Sequence, residues 1–174
     1  LRRYLAELIQ NYRSHSEIVL WQIENEPFLM FGQCRSRGKE FLREEISLVR
    51  SLDPTRPILT TDGGEFGLWA PTARYGDVFG PTMYRKAYPR IIGPLFGVIE
   101  YPIEPEFFRL KERMVRWINR NPSQRFLISE LQGEPWSPDP LASTPYESQV
   151  REFSPEYFRG VIEYAKAAGF EEYY

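Results

Sequence analysis

The sequence predicts an α/β fold, a partial (β/α)8 TIM barrel in which parallel strands alternate with helices. Helix-like and strand-like stretches alternate along all 174 residues, which is typical of a parallel sheet covered by helices. No GxGxxG or GxxxxGK sequence follows a strand, which argues against an open nucleotide-binding sheet. Polar residues collect where the strands end, as in the active site of a barrel. They are Asn25, Glu26, Asp62, Thr82, Tyr84 and Glu130.

The first half of the chain contains two predicted helices and two predicted strands. Apolar residues recur every three or four positions in residues 1–14 and 38–52, which predicts helices. Residues 18–26 form an apolar run ending in Glu-Asn-Glu, which predicts a strand. In "DPTRP", residues 53–57, Pro54 stops the second helix and Pro57 opens an extended run. The stretch "ILTTDGG", residues 58–64, then predicts a short strand with a glycine turn.

A third strand and a third helix follow. "YGDVFGPTMYR", residues 75–85, predicts the strand, and residues 85–103 form an apolar connection that we interpret as a hairpin over the cleft, a partner contact or a surface packed against other strands. Residues 105–121 predict a helix with proline in its first turn. One apolar stripe of this helix is expected to face the core: Phe107, Leu110, Met114 and Trp117.

The last part of the chain repeats the pattern. "RFLISEL", residues 125–131, predicts a strand, and residues 154–169 predict a helix. Ser154 has the character of an N-terminal cap, and Gly169 is a stop signal. "FEEYY", residues 170–174, resembles the beginning of another strand.

The number of strands is lower than a closed barrel requires. A barrel needs about eight strands, whereas this chain shows four and the beginning of a fifth, opens on a helix without an initiator Met and stops within a strand. We therefore expect residues 1–174 to be a single-domain internal fragment from the C-terminal portion of a barrel, with part of that barrel missing from the chain.

Composition excludes several classes of function. The net charge of −2 gives no basic surplus of the kind that nucleic acid binding requires. A single cysteine, Cys34, and a single histidine, His15, argue against an internal disulfide and against histidine-rich metal chemistry. No apolar run is long enough to cross a membrane. Chemistry in this chain is therefore expected to depend on carboxylates and aromatic residues.

Two glutamates have the placement that glycoside hydrolysis requires. That reaction uses one carboxylic acid to protonate the leaving oxygen and a second carboxylate at the sugar carbon. Glu26 and Glu130 each end an apolar strand. Glu134 is a rival for the second role, but it lies beyond Gly133 in a loop, and Glu24 is better interpreted as a hydrogen-bonded partner.

The sequence resembles the retaining glycoside hydrolases of clan A, which include the cellulase and mannanase families. The resemblance rests on "NEP" at residues 25–27, "FGPTMY" ending at Tyr84, "LISEL" containing Glu130, and "DPTRP" before a strand. It implies that the chain spans about strands four to seven of the barrel and the start of strand eight. Relatives often carry a histidine where Thr82 and Met83 stand here, which affects the expected sugar more than the reaction.

The resemblance also implies residue roles. Glu26 would be the catalytic acid/base and Glu130 the catalytic nucleophile. The expected substrate contacts are Asn25, Tyr84, Gln132 and Trp136. A carbohydrate is the expected partner, and neither a cofactor nor a metal is expected.

Two alternatives remain open from the sequence. The barrel could bind carbohydrate without hydrolysing it. It could also support metal-assisted hydrolysis through Asp62, Glu26 and Glu130, since oxygen ligands suit Mg²⁺.

Overall fold

Parallel strands curl into a half-barrel with helices on its outside, as the sequence predicts. The computed structural model describes residues 2–29, 38–88, 93–133, 145–148 and 154–174. Within these residues, no helix combines the length and apolar character needed to span a membrane.

The helices occur where the hydrophobic periodicity predicts them, with two short additions. They are α1 (Arg2–Tyr12), α2 (Gly38–Leu52), α3 (Ala70–Ala73), α4 (Gly93–Phe96), α5 (Pro105–Ile118) and α6 (Pro155–Ala167). The side chain of Ser154 caps α6 by accepting a hydrogen bond from the backbone N–H of Tyr157. Gly169 follows α6 with a φ of +90°, so the predicted stop signal is confirmed.

The main sheet is parallel throughout the described residues. Its strands are β1 (Trp21–Gln22), β2 (Ile58–Asp62), β3 (Val78–Met83), β6 (Arg125–Phe126) and β7 (Glu130–Leu131). The order is β1-β2-β3-β6, and β7 also pairs with β3. A separate antiparallel pair, β4 (Lys86–Ala87) and β5 (Ile99–Glu100), gives the 85–103 connection hairpin pairing. Whether this hairpin covers a cleft stays a prediction.

Strands β6 and β7 follow one line along β3. Between them, the backbone N–H of Leu127 donates to the carbonyl of Phe79, and that of Ser129 donates to the carbonyl of Pro81, both at 3.1 Å. Tyr173 forms a parallel bridge with Ile128, so a further strand begins where the sequence predicts one. This ladder brings Glu130 to the C-terminal end of the sheet.

The first strand is shorter than predicted. Regular pairing covers only Trp21–Gln22 rather than residues 18–26. Glu26 has a φ of +45°, a left-handed conformation that no β-strand can contain. The alternation of faces expected from a strand therefore does not apply to the Glu-Asn-Glu segment.

The prediction for the buried face of α5 is wrong. The residues of the expected stripe, Phe107, Leu110, Met114 and Trp117, are 38 to 80% exposed. The helix instead buries Phe108 and Val115. Lys111, between them at helical spacing, turns to the same side and donates to loop carbonyls. A polar residue in the inward row made this face less apolar in the sequence than the outward one.

The "DPTRP" segment is organised around the buried carboxylate of Asp53. Asp53 accepts hydrogen bonds from the indole of Trp21 (2.9 Å), the hydroxyl of Thr55 (2.8 Å) and the guanidinium of Arg56 (2.6 Å). Burial raises the pKa of Asp53, but these hydrogen bonds outweigh burial and hold the pKa far below its usual range. Arg56 also donates to three carbonyls of the segment before β1. The motif thus anchors the start of β1.

Removing the Asp53 carboxylate should destabilise the protein strongly. Asp53→Ala removes the acceptor of the Arg56 guanidinium and of the Trp21 indole N–H. We therefore expect the free energy of unfolding to fall by about 3–5 kcal/mol. Urea denaturation measures this loss. Glu44→Ala is the matched control, because its ion pair with Arg2 is exposed and should contribute about 0–1 kcal/mol. Equal urea midpoints for the two variants would contradict the prediction.

Candidate active site

Glu26 lies beyond the end of β1 in a left-handed backbone conformation. Its φ of +45° is costly for a residue with a side chain. Two hydrogen bonds support the turn: the backbone N–H of Glu26 donates to the hydroxyl of Thr61 on β2 at 2.9 Å, and the carbonyl of Glu26 accepts from the N–H of Leu29 at 2.9 Å. The turn aims the Glu26 carboxylate toward β3 and not along its own strand.

Asn25 is oriented by its side-chain oxygen. Its Oδ1 accepts hydrogen bonds from Nε2 of Gln22 at 3.1 Å and from the hydroxyl of Thr61 at 3.3 Å. The residue is exposed. Because the oxygen is engaged, the amide nitrogen is the group of Asn25 that can donate to a ligand.

Tyr84 and Glu130 are in direct contact. The Tyr84 hydroxyl donates to Oε2 of Glu130 at 2.6 Å. Tyr84 follows the last residue of β3, and Glu130 begins β7, which pairs with β3 through the register Thr82 to Glu130. The ends of two neighbouring parallel strands therefore bring together two residues that are far apart in sequence.

Thr82 connects this pair to Glu26. The Thr82 hydroxyl lies 3.2 Å from Oε1 of Glu26, while the Thr82 backbone is in register with Glu130. That hydroxyl also accepts a hydrogen bond from the N–H of Gly64 at 3.0 Å. Thr82 thus lies between the two glutamates, at the same end of the sheet.

The charge of Glu130 affects the pKa values of both Glu26 and Tyr84. Burial raises the pKa of Glu26, and the negative charge of Glu130 raises it further, against a lowering by the Thr82 hydrogen bond. Burial and the hydrogen bond to Glu130 raise the pKa of Tyr84 as well, so that its phenol stays protonated and donates. The arrangement places a carboxyl group with a raised pKa near a second carboxyl group that receives a hydrogen bond.

The loop after β2 borders this site and is held by Asp62. One carboxylate oxygen of Asp62 accepts from the N–H of Gly63, and the other accepts from the N–H of Trp69 and the hydroxyl of Thr72. Asp62 therefore stabilises this turn, a role that is common for an aspartate followed by two glycines. A Cβ on Gly63 would lie 3.7 Å from Oε1 of Glu26, so the loop passes close to that carboxylate.

Sequence reasoning missed two ionisable residues beside the site, Glu65 and Lys111. Glu65 is 7% exposed, and its Oε1 accepts a hydrogen bond from the backbone N–H of Tyr84 at 2.8 Å. The Lys111 ammonium donates to the carbonyls of Gly64 and Gly67, both at 2.7 Å. The one sequence signal for Glu65 is a carboxylate in a glycine-rich loop after a strand, and such loops are common.

Gln132 is the other predicted contact that lies within the described residues. Gln132 is buried; its amide accepts from the backbone N–H and donates to the carbonyl of Lys86, and its oxygen also receives the hydroxyl of Tyr157. These bonds favour a positioning role over sugar contact. Trp136 lies outside the described residues. Trp69 is fully buried in the core, and its indole N–H donates to loop carbonyls, so it does not face a sugar.

A metal centre built on Asp62, Glu26 and Glu130 finds no support. Within the parts of the chain that the structure describes, no three His, Cys, Asp or Glu side chains are grouped so that they could hold an ion. Both oxygens of Asp62 are engaged by the loop.

Residues 3–94, more than half of the chain, match the family model described as glycosyl hydrolases family 2, TIM barrel domain. The chain belongs to glycosyl hydrolase family 2. This membership supports the broad prediction of a glycoside hydrolase barrel. The narrower placement near cellulases and mannanases still rests on the short motifs alone. No curated protein matches the chain.

Solved structures of family 2 enzymes share the fold. A β-galacturonidase from Eisenbergiella tayi, bound to galacturonate, is 19% identical and superposes with a TM-score of 0.60 over 98% of this chain and 27% of its own. An FMN-binding β-glucuronidase from Facaelibacterium prausnitzii L2-6 is 20% identical, with a TM-score of 0.57 over 97% of this chain and 24% of its own. This family 2 chain therefore spans about a quarter of the length of the structures it matches.

Proposed function

We propose that the protein is a retaining glycoside hydrolase that uses Glu130 as nucleophile and Glu26 as acid/base. The observation that carries this proposal is the 2.6 Å hydrogen bond from Tyr84 to Glu130, at the same strand ends as a half-buried Glu26. Family 2 membership supports the reaction class. In this proposal, residues 1–174 supply strands four to seven and the start of strand eight of a glycosidase barrel, as in clan A.

In the first step, an oxygen of Glu130 attacks the anomeric carbon of the sugar. The bond from that carbon to the leaving oxygen breaks, and Glu26 transfers its proton to the departing oxygen. The raised pKa of Glu26 favours the acid form that this step requires. The Tyr84 hydroxyl holds the attacking carboxylate in one orientation.

In the second step, Glu26 acts as a base. Having lost its proton, it accepts one from water while the water oxygen attacks the anomeric carbon and displaces Glu130. Loss of the sugar restores both carboxyl groups. Two displacements at the same carbon retain its configuration. Asn25 is placed beside Glu26 to donate its amide hydrogen to a sugar hydroxyl next to the reacting carbon.

We propose β-linked uronides as the first substrates to examine. The solved structures similar to this chain include a β-galacturonidase bound to galacturonate and a β-glucuronidase. Lys86, two residues after Tyr84, has its ammonium 4.7 Å from the centre of the Tyr157 ring. In this proposal, the Lys86 ammonium is the cation that pairs with the substrate carboxylate.

Product stereochemistry tests the proposal. We expect the full-length protein to release β-sugar first from an aryl β-uronide, followed by slow mutarotation, when the anomeric proton is monitored by NMR. Aryl β-glucuronide, β-galacturonide and β-glucoside, used in parallel, would define the sugar. Initial release of the α-anomer would contradict double displacement. Sugar binding without turnover of any aryl glycoside would favour the alternative of a carbohydrate-binding barrel.

A further inference from the structure

The N–H of Tyr84 is bound by a side chain where the strand ladder ends. Strand β2 pairs with β3 only as far as Asp62 and Pro81. Beyond that point, Oε1 of Glu65 accepts the N–H of Tyr84 at 2.8 Å. Glu65 thus supplies an acceptor three residues beyond the last paired residue, Pro81, and it does so at the residue whose hydroxyl contacts Glu130.

The loop that carries Glu65 is packed directly on β3. A Cβ on Gly64 would lie 1.6 Å from the carbonyl oxygen of Thr82, so no side chain fits there. The N–H of Gly64 donates to the Thr82 hydroxyl, which in turn contacts Glu26. One loop therefore touches the residues that contact both glutamates.

Lys111 ties this loop to α5. Its ammonium donates to the carbonyls of Gly64 and Gly67 and lies 4.2 Å from the centre of the Trp69 ring. Burial lowers the pKa of Lys111 to about 8, and the charges of Asp62 and Glu65 oppose that effect. The loop is thus bound on one side by β3 and on the other by the partly buried ammonium of Lys111.

Burial and hydrogen bonding act on the Glu65 carboxyl in opposite directions. Burial raises the pKa of Glu65 to about 7, while hydrogen bonds from its own N–H and that of Tyr84, and the charges of Lys111 and Arg85, lower it. Removing the side chain would take this acceptor away from the partly buried N–H of Tyr84, which favours a shift of the strand end.

We propose that Glu65 is a positioning residue that, through the backbone of Tyr84, sets the contact between the Tyr84 hydroxyl and Glu130. The inference rests on the proposed function, because the contact matters for turnover only if Glu130 is the nucleophile. Glu65 itself touches neither the substrate nor the reacting atoms in this proposal.

Kinetics of the full-length protein test the proposal. Glu65→Ala should lower kcat on the order of 10- to 100-fold with little change in KM, because small displacements at a reacting centre are costly. Glu65→Gln keeps an oxygen that can accept the N–H and should retain most of the activity. Glu112→Ala is the control on α5, since Glu112 pairs with Arg116. Equal losses in Glu65→Gln and Glu65→Ala would overturn the proposal.

A double-mutant cycle separates positioning from general damage. If Glu65 acts through Tyr84, then Glu65→Ala combined with Tyr84→Phe should cost no more than the larger single effect. Losses that multiply would contradict this coupling.

A crystal structure makes the test independent of activity. In Glu65→Ala, the Tyr84 hydroxyl should move away from its 2.6 Å position beside Glu130. An unchanged contact would overturn the positioning role. Absence of any glycosidase activity in the unmutated protein would instead contradict the proposed function, and this structural comparison would still decide the role of Glu65.

Discussion

Glu130→Ala should lower kcat on an activated aryl glycoside by a factor on the order of 10⁴ or more, because removal of a nucleophile leaves only the rest of the site. Tyr84 would then donate to solvent in place of the carboxylate. The full-length protein and a dinitrophenyl β-glycoside are suitable, since this leaving group needs no protonation. Stopped assays with high enzyme concentration measure the residual rate.

Azide gives this variant a second, sharper readout. A small anion can occupy the space left by the Glu130 carboxylate and attack the anomeric carbon once, so Glu130→Ala should form a glycosyl azide of inverted configuration. Glu134→Ala is the matched control and should behave as the unmutated protein, because the sequence offered Glu134 as the rival nucleophile. Full activity in Glu130→Ala together with loss in Glu134→Ala would reverse the assignment.

The placement of Glu26, Tyr84 and Glu130 at one end of a parallel sheet could be predicted from the sequence. Each follows an apolar stretch that can only be a buried strand, and the C-terminal ends of parallel strands meet at one edge. The contact between Tyr84 and Glu130 could be expected from resemblance alone. The periodicity of a strand shows which face each side chain occupies, but it does not show which side chains of neighbouring strands are in contact.

The left-handed turn at Glu26 could not be predicted. Non-glycine residues rarely adopt a positive φ, and Asn-Glu-Pro contains no glycine to suggest one. The conformation is supported by a hydrogen bond from Glu26 to Thr61, which is distant in sequence. At Glu26, the proposed acid/base, tertiary contacts therefore override the local preference for a negative φ.

The error at α5 has the same origin. Hydrophobic periodicity assigns the inward face to the most apolar row, but Lys111 belongs to the inward row and compensates for its burial by binding loop carbonyls. Glu65 escaped notice for a related reason: its acceptor role depends on an N–H at the end of another strand. When the hydrogen-bond partners of a polar residue are distant from it in sequence, the sequence pattern alone assigns that residue to the surface.

Glu26→Ala should affect the two chemical steps differently. With a poor leaving group, the first step loses its proton donor, and kcat/KM should fall on the order of 10²- to 10⁴-fold. With a dinitrophenyl leaving group, the first step needs no proton, so the glycosyl-enzyme should accumulate while the second step is slow for want of a base. A burst of dinitrophenol followed by slow turnover is the expected trace.

The pH profile identifies the proton that Glu26 carries. Burial and the charge of Glu130 raise its pKa, and the first step needs its acid form, so kcat/KM for a poor leaving group should decrease as pH rises through that pKa. Glu26→Ala should lose this decrease, and azide should increase its turnover with retained configuration. Glu24→Gln, two residues earlier, should keep the profile of the unmutated protein. If kcat/KM of Glu26→Ala still decreased at high pH, the group whose ionisation controls the rate would still be present. That result would assign the catalytic acid to another residue.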